Sequence, residues 1–143
     1  MDFFKTIEIS ASGLSAQRTR LNVAASNLAN ASTTDDGTGA PYQRRDVVVS
    51  ATPADTGAPG MHGDAGGVFA VKVDAILADA SPPRLEYDPG HPDADADGYV
   101  AYPNVNVIEE MVDMITASRA YEAGVTALDS AVSMAERALS IGA

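Results

Sequence analysis

The amino-acid sequence predicts an α+β fold in which long N- and C-terminal helices pack as a coiled-coil-like pair, with a small antiparallel β module inserted between them. Three observations predict this fold: an apolar stripe with helical spacing near the C-terminus, large apolar residues that recur every seven positions near the N-terminus, and short segments of alternating polarity among glycines and prolines in the middle. We therefore divide the 143 residues into an N-terminal helix (1–35), a β-rich insert (36–102) and a C-terminal helix (103–143).

The C-terminal helix is predicted to begin after Asn106, whose side chain can cap it, and Glu109 and Glu110 place negative charge near the positive end of the helix dipole. Steps of mostly three and four residues separate its apolar positions, which places them in one stripe. The stripe consists of Ile108, Met111, Ile115, Tyr121, Val125, Leu128, Val132 and Leu139. It is too long for a core of this size to cover, so we expect a partner helix from the same chain or from another one.

The N-terminal helix is predicted from large apolar residues that recur every seven positions, with small residues between them. These large residues are Ile7, Leu14, Leu21 and Leu28. Small side chains let helices approach closely, but each of them buries little apolar area. We therefore expect this helix to be marginally stable alone and to depend on packing against a partner.

The middle of the chain is rich in glycine and proline, which predicts turns and loops, among them the segment 52–67. Residues 42–50 contain three consecutive valines and residues 69–77 alternate in polarity, so both are predicted to be strands. Leu85 and Tyr87 lie on one face of a third strand, after a turn at residues 81–83. These strands predict the small antiparallel module.

The composition excludes several classes of function. The chain has 20 acidic and 9 basic residues, and its acidic middle argues against a nucleic-acid partner, which would require a basic surface. No apolar run approaches 18 residues, so we expect no direct membrane insertion. Cysteine is absent, and serine is plentiful but forms no nucleophile elbow. No phosphate-binding loop is present, and no nucleophile lies at a recognisable spacing from His62 or His91. We therefore expect no enzyme activity, no cofactor and no small-molecule substrate.

The acidic loop at 88–98 suggests an alternative function. Residues 93–98 match the first six positions of a calcium-binding loop, but Asn104 stands where such a loop has its bidentate glutamate. The simpler interpretation is an acidic turn between strands. The alternative is a metal-responsive coiled-coil adaptor that binds through this loop.

Two pairs of adjacent residues also have more than one interpretation. Phe3 and Phe4 could anchor the chain at a membrane surface, but the helix that follows has no strongly basic face, which favours packing against another subunit. Arg44 and Arg45 could hold a phosphate, or they could form salt bridges with the acidic loop of an adjoining subunit.

Several stretches of the chain resemble flagellar rod and hook proteins. Residues 12–23 and 26–34 resemble the N-terminal signature of that family, and the resemblance continues through most of the middle and the C-terminal helix. The further matching stretches are residues 41–45, 87–95, 98–106, 111–114 and 118–123. Gly124 stands where the family usually has asparagine.

The resemblance implies a structural subunit of the proximal rod of the bacterial flagellar basal body, in the periplasmic space. Such subunits polymerise helically through their terminal helices into a torque-transmitting drive shaft. The implied partners are the chain itself, neighbouring rod proteins and, during secretion without signal cleavage, the flagellar type III export apparatus. The implied subunit-interface residues are the two apolar stripes together with Asn22, Asn27 and Asn30.

Overall fold

A computed structural model describes residues 3–53 and 69–141 of the chain. Two long helices, α1 (Phe3–Ala29) and α2 (Val107–Ile141), enclose four strands in the sequence. The strands are β1 (Arg45–Pro53), β2 (Phe69–Ala78), β3 (Arg84–Tyr87) and β4 (Tyr99–Tyr102). This architecture confirms the predicted fold class. Most of the predicted loop at 52–67 lies outside the described residues.

The two helices pack against each other along their length and are antiparallel. Asn27 of α1 contacts Glu110 of α2, and Leu14 of α1 contacts Gly124 of α2, so the contacts run in opposite directions along the two helices. At this constant offset, Phe3 is level with about residue 135 of α2, and the last turn of α2 extends beyond it. Neither helix of the described residues holds an apolar stretch long enough to cross a membrane.

Small residues are the most deeply buried apolar residues of the helix pair. Ala16, Ala24 and Ala117 are buried, while the large heptad residues of α1 are only half-buried. A Cβ atom added to Gly124 would lie 2.7 Å from Cδ2 of Leu14, so the leucine side chain occupies the space that a larger residue would need. Leu14 therefore packs into a hollow on α2, as large side chains do in coiled coils.

Strands β1 and β2 form an antiparallel sheet beside α1. Its register pairs Arg45 with Ala78 and Pro53 with Phe69, with an irregularity between Val48 and Val49. The backbone N–H of Val71 in β2 donates a 3.0 Å hydrogen bond to Oγ of Ser12, which ties the sheet to the helix. The observed β1 begins and ends about three residues later than the predicted strand at 42–50.

Strands β3 and β4 form a second antiparallel sheet, so the inserted β module consists of two two-stranded sheets. β2 pairs with β1 rather than with β3, and β3 pairs across the acidic turn with the segment Tyr99–Tyr102. Gly98 precedes β4 with φ of 83°, and a Cβ atom there would lie 2.9 Å from the ring of Tyr87. The turn therefore requires glycine, because a side chain would be both strained and obstructed.

The apolar stripe predicted on α2 divides between two sides of the helix. Val125, Leu128 and Val132 are half-buried, whereas Ile108 and Met111 are exposed. The prediction of a single stripe was therefore wrong. At 100° per residue, the buried Glu110 and Ala117 lie on the side that faces α1, and the positions 108, 111 and 115 point elsewhere.

Candidate functional site: the helix pair and its polar junction

A cluster of polar residues joins the end of α1, the start of β1 and the start of α2. We call Asn27, Tyr42, Arg44, Asn104 and Glu110 the polar junction. Asn27 is 1% exposed and Glu110 is 2% exposed, and they are the two most deeply buried polar residues among those described. Burying such groups is unfavourable unless they are hydrogen-bonded, so their partners determine what the junction does.

Asn27 uses its side-chain amide to hold the backbone of Arg45. Its Nδ2 donates to the carbonyl of Arg45 at 2.8 Å, and its Oδ1 accepts the N–H of Arg45 at 2.9 Å. The same Oδ1 accepts a hydrogen bond from the hydroxyl of Tyr42 at 2.9 Å. One α1 side chain therefore fixes the chain segment that enters the β insert.

Glu110 completes the junction from α2. Its Oε2 accepts a 3.0 Å hydrogen bond from Nδ2 of Asn27, and its Oε1 accepts a 2.6 Å hydrogen bond from Nε of Arg44. Burial alone would lower the pKa of Arg44, but the hydrogen bond and negative charge of Glu110 raise it overall. The carboxylate is thus paired with both a charged and a neutral donor, as a buried ion requires.

Local structure explains how Glu110 reaches this position. Asn106 caps α2, since its Oδ1 accepts the N–H of Ile108 at 3.1 Å and its carbonyl accepts the N–H of Glu110 at 3.0 Å. Just before the cap, Oδ1 of Asn104 accepts the N–H of Arg44 at 3.2 Å. The first turn of α2 and the start of β1 are therefore held together on both sides of Arg44.

Sequence reasoning did not find the junction. The sequence suggests that Glu110 interacts with the helix dipole, and that Arg44 binds either a phosphate or the acidic loop of another subunit. In the structure, Arg44 instead forms a salt bridge with Glu110 of its own chain. The available signal was that Glu110 precedes Ala117 by seven residues, on the side of α2 that faces α1. A charged residue on that side of a helix requires a buried partner.

A second feature is an exposed apolar surface on the first turns of α2, which we call the outer patch. Its members are Val107, Ile108, Met111, Val112 and Ile115. Their exposed fractions range from 43% to 73%. The same side of α2 becomes polar further along, at Glu122, Asp129 and Ser133. On this side of α2, the apolar character is therefore confined to the end of the helix that carries the junction.

The predicted interface residues are distributed over both kinds of surface. On α1, Asn22 is exposed, Asn27 is buried within the chain, and Nδ2 of Asn30 donates to the carbonyl of Ser26 at 2.9 Å. On α2, Tyr121 is 37% exposed, and Leu139 is exposed beyond the start of α1. None of these observations includes a second subunit, so the interface assignments stay predictions.

The acidic loop uses its polar atoms to shape turns. Oδ1 of Asp95 accepts the N–H groups of Asp97 and Tyr99, and Oδ1 of Asp88 accepts the N–H of Gly90. Nδ1 of His91 accepts the N–H of Asp93. Across residues 3–53 and 69–141, no three acidic or histidine side chains are arranged to hold a metal ion.

Comparison with known families now defines the class of protein. The family described as "Flagella basal body rod protein" matches residues 7–35, which include most of α1. The family described as "Flagellar basal body rod FlgEFG protein C-terminal" matches residues 96–141, which include β4 and α2. Two helices with these two matches define a flagellar basal-body rod protein, a structural and non-enzymatic class.

Individual relatives show which rod protein family the chain belongs to. The chain is 43% identical to the flagellar basal-body rod protein FlgC of Borreliella burgdorferi, with 99% of this chain and 98% of the relative covered. It is 41% identical to the FlgC proteins of Salmonella typhimurium and Bacillus subtilis, with 99% of each chain covered. The chain belongs to the FlgC family of flagellar basal-body rod proteins.

Proposed function

We propose that the chain is a subunit of the proximal rod that polymerises helically through its terminal helices and contributes to the torque-transmitting drive shaft. Its partners in this proposal are further copies of itself and the neighbouring rod proteins. Membership of the rod family supports assembly with other rod proteins. The observation that carries the helical contact is the outer patch on α2.

The outer patch is an unusual surface for a chain with so small a core. Large apolar side chains at the start of α2 are exposed, while the fully buried apolar residues of the two helices are all alanines. Exposed apolar area is unfavourable in water, and a contiguous apolar surface marks a contact with another molecule. A neighbouring subunit that covers the outer patch would bury these side chains.

The arrangement of the patch favours a polymer over a closed dimer. It lies at one end of a rod-shaped helix pair, whereas exposed Leu139 and Ile141 lie at the opposite end of α2. Contacts between different surfaces of successive subunits produce open helical assemblies when the rotation does not close. Repetition of such contacts along a tube would transmit torque through many helix–helix surfaces.

Export belongs to the same proposal. We propose that the subunit leaves the cytoplasm through the flagellar type III apparatus without signal cleavage and is incorporated in the periplasmic space. The resemblance of residues 12–34 to the rod and hook signature supports this route. A helix pair with few large buried side chains is also compatible with passage through a channel in an unfolded state.

Charge introduced into the outer patch tests the assembly proposal. Ile115→Glu places a carboxylate in the patch, and Ser133→Glu places one on the same side of α2 five turns further along. Each variant replaces the native protein in the bacterium that encodes it. We expect Ile115→Glu to abolish swimming and the recovery of the subunit in isolated basal bodies, and Ser133→Glu to retain both.

Two further measurements separate assembly from folding and export. The free energy of unfolding of the purified Ile115→Glu subunit, measured with urea, should differ from that of the native subunit by less than about 0.5 kcal/mol, because the side chain is exposed. Secretion of the variant should continue in cells that lack rod assembly. Normal swimming of the Ile115→Glu strain, or equal loss in the Ser133→Glu strain, would show that the outer patch is not the contact that assembly requires.

A further inference from the structure

The apolar contact between the helices repeats with the same period on both sides. On α1, large residues recur every seven positions, at Ile7, Leu14, Leu21 and Leu28. On α2, small residues recur every seven positions, at Ala117, Gly124, Ala131 and Ala138. Large side chains on one helix therefore meet hollows on the other at a common spacing.

This shared period leaves the register of the pair undetermined by apolar packing alone. In the structure, Leu14 fills the hollow at Gly124, and at the same offset Leu21 is level with Ala117, which is 1% exposed. If α2 slid by seven residues, Leu21 would meet Gly124 and Leu28 would meet Ala117. That arrangement again pairs large residues with small ones, so apolar packing would also accept the slipped register.

Glu110 breaks the repeat. It occupies the position seven residues before Ala117, where the pattern calls for another small residue, and it meets Asn27 beside the last large residue of α1. A slip in one direction would carry Glu110 past the end of α1 at Ala29 and would leave Asn27 without its partner. A slip in the other direction would press Leu21 against the carboxylate, which would then be buried without a donor.

We propose that the buried pair Asn27–Glu110, supported by Arg44, sets the register of the helix pair. The same contacts extend the register to the insert, since Asn27 also holds the backbone of Arg45 and Glu110 binds the side chain of Arg44. A single polar contact within an apolar helix contact is known to specify alignment in this way. This role concerns folding within one chain and does not depend on how subunits assemble.

Disulfide formation measures the register directly, because the native chain contains no cysteine. Leu14→Cys with Gly124→Cys reports the observed alignment. Leu21→Cys with Gly124→Cys, and Ile7→Cys with Gly124→Cys, report slips by seven residues in either direction. A displacement of seven helical residues is about 10 Å, too far for a disulfide in the observed register. Each pair is oxidised in the dilute full-length chain, and the intramolecular product is quantified.

We expect the native pair to crosslink and the slipped pairs to remain reduced when the junction is intact. In the Asn27→Ala/Glu110→Ala background, the ratio of slipped to native product should rise roughly tenfold or more, because the hydrogen bonds of a buried charged group are among the stronger ones. Leu128→Ala is the matched control: it removes half-buried apolar packing from α2 but leaves the junction intact, and it should not raise the ratio.

The outcomes that would overturn the proposal are equally direct. They are equal crosslinking of native and slipped pairs in the intact junction, an unchanged ratio in the folded double variant, or an equal rise with Leu128→Ala. Helix content is followed by circular dichroism. If the double variant loses its helices, Glu110→Gln, which keeps the side-chain size and removes the charge, takes its place. In that variant a raised ratio supports the proposal and an unchanged ratio overturns it.

Discussion

Two regions of the helix pair are held together by different physical means. At the end that joins the insert, Asn27 and Glu110 meet in a buried hydrogen bond. In the middle of the two helices, Leu14 fills the hollow at Gly124. Apolar packing contributes stability roughly in proportion to area and is tolerant of displacement, whereas a buried ion is favourable only with its donors in place. The comparison indicates that the apolar contact in the middle of the pair contributes mainly stability and that the polar junction contributes mainly alignment.

The largest expected effect comes from leaving the buried carboxylate without its charged partner. Arg44→Leu removes the guanidinium that donates to Oε1 of Glu110, while Arg44 itself is 21% exposed and Glu110 is 2% exposed. Breaking a buried pair from one side typically costs 3–5 kcal/mol, and the partial exposure of Arg44 places the expected loss near the lower end, at about 3 kcal/mol. Urea unfolding of the purified subunit measures it as a lower midpoint at unchanged slope.

Arg18→Leu is the matched control for this substitution. It removes the same charge from an exposed position on α1 and should change the free energy of unfolding by less than about 0.5 kcal/mol. Equal effects of the two substitutions would show that the arginine at the junction acts only through overall charge. The alignment role of the polar end would then have no energetic basis in Arg44.

A smaller effect is expected at the apolar contact in the middle of the pair. Leu14→Ala removes a half-buried side chain from the hollow at Gly124 and should lower the free energy of unfolding by about 2 kcal/mol. Gly124→Ala gains helix propensity of about 1 kcal/mol, but in the native chain its methyl group meets Leu14. We therefore expect Gly124→Ala to stabilise the Leu14→Ala variant clearly and the native chain much less.

A double-mutant cycle of these two substitutions isolates their contact. A coupling energy near zero would mean that Leu14 does not occupy the hollow at Gly124. It would also remove the physical reason that we give for glycine at position 124.

The fold class could be predicted because its signals are local. Helical spacing in the terminal segments and alternation at residues 69–77 indicate α1, α2 and β2 without knowledge of distant contacts. The pairing of β3 with β4 could not be predicted in this way, because Tyr99–Tyr102 is short and its partner is set by the turn that precedes it. Tertiary pairing decided which strands form each sheet.

The polar junction was beyond sequence reasoning for a related reason. Its central hydrogen bond joins residues 83 positions apart, and only the folded chain brings them together. In sequence, Glu110 has the expected place of an acidic residue in the first turn of a helix. The stripe of α2 was misjudged because the helix has two apolar sides, one toward α1 and one outward at Ile108, Met111 and Ile115, and spacing alone merges them.

The smallest expected effect concerns the first and last turns of α2. Asn106→Ala removes the cap of the first turn, where Oδ1 accepts the N–H of Ile108, and should lower the free energy of unfolding by about 1 kcal/mol. At the opposite end, Oγ of exposed Ser140 donates to the carbonyl of Arg137, and Ser140→Ala should change the free energy by less than about 0.5 kcal/mol. Asn106→Asp should retain most of the native stability, because aspartate also caps helices well. Thermal unfolding of the three variants ranks their stabilities.

If Ser140→Ala were as destabilising as Asn106→Ala, the first turn of α2 would have no special part in holding Glu110 in place. The alignment that we assign to the polar junction would then depend on its buried contacts alone.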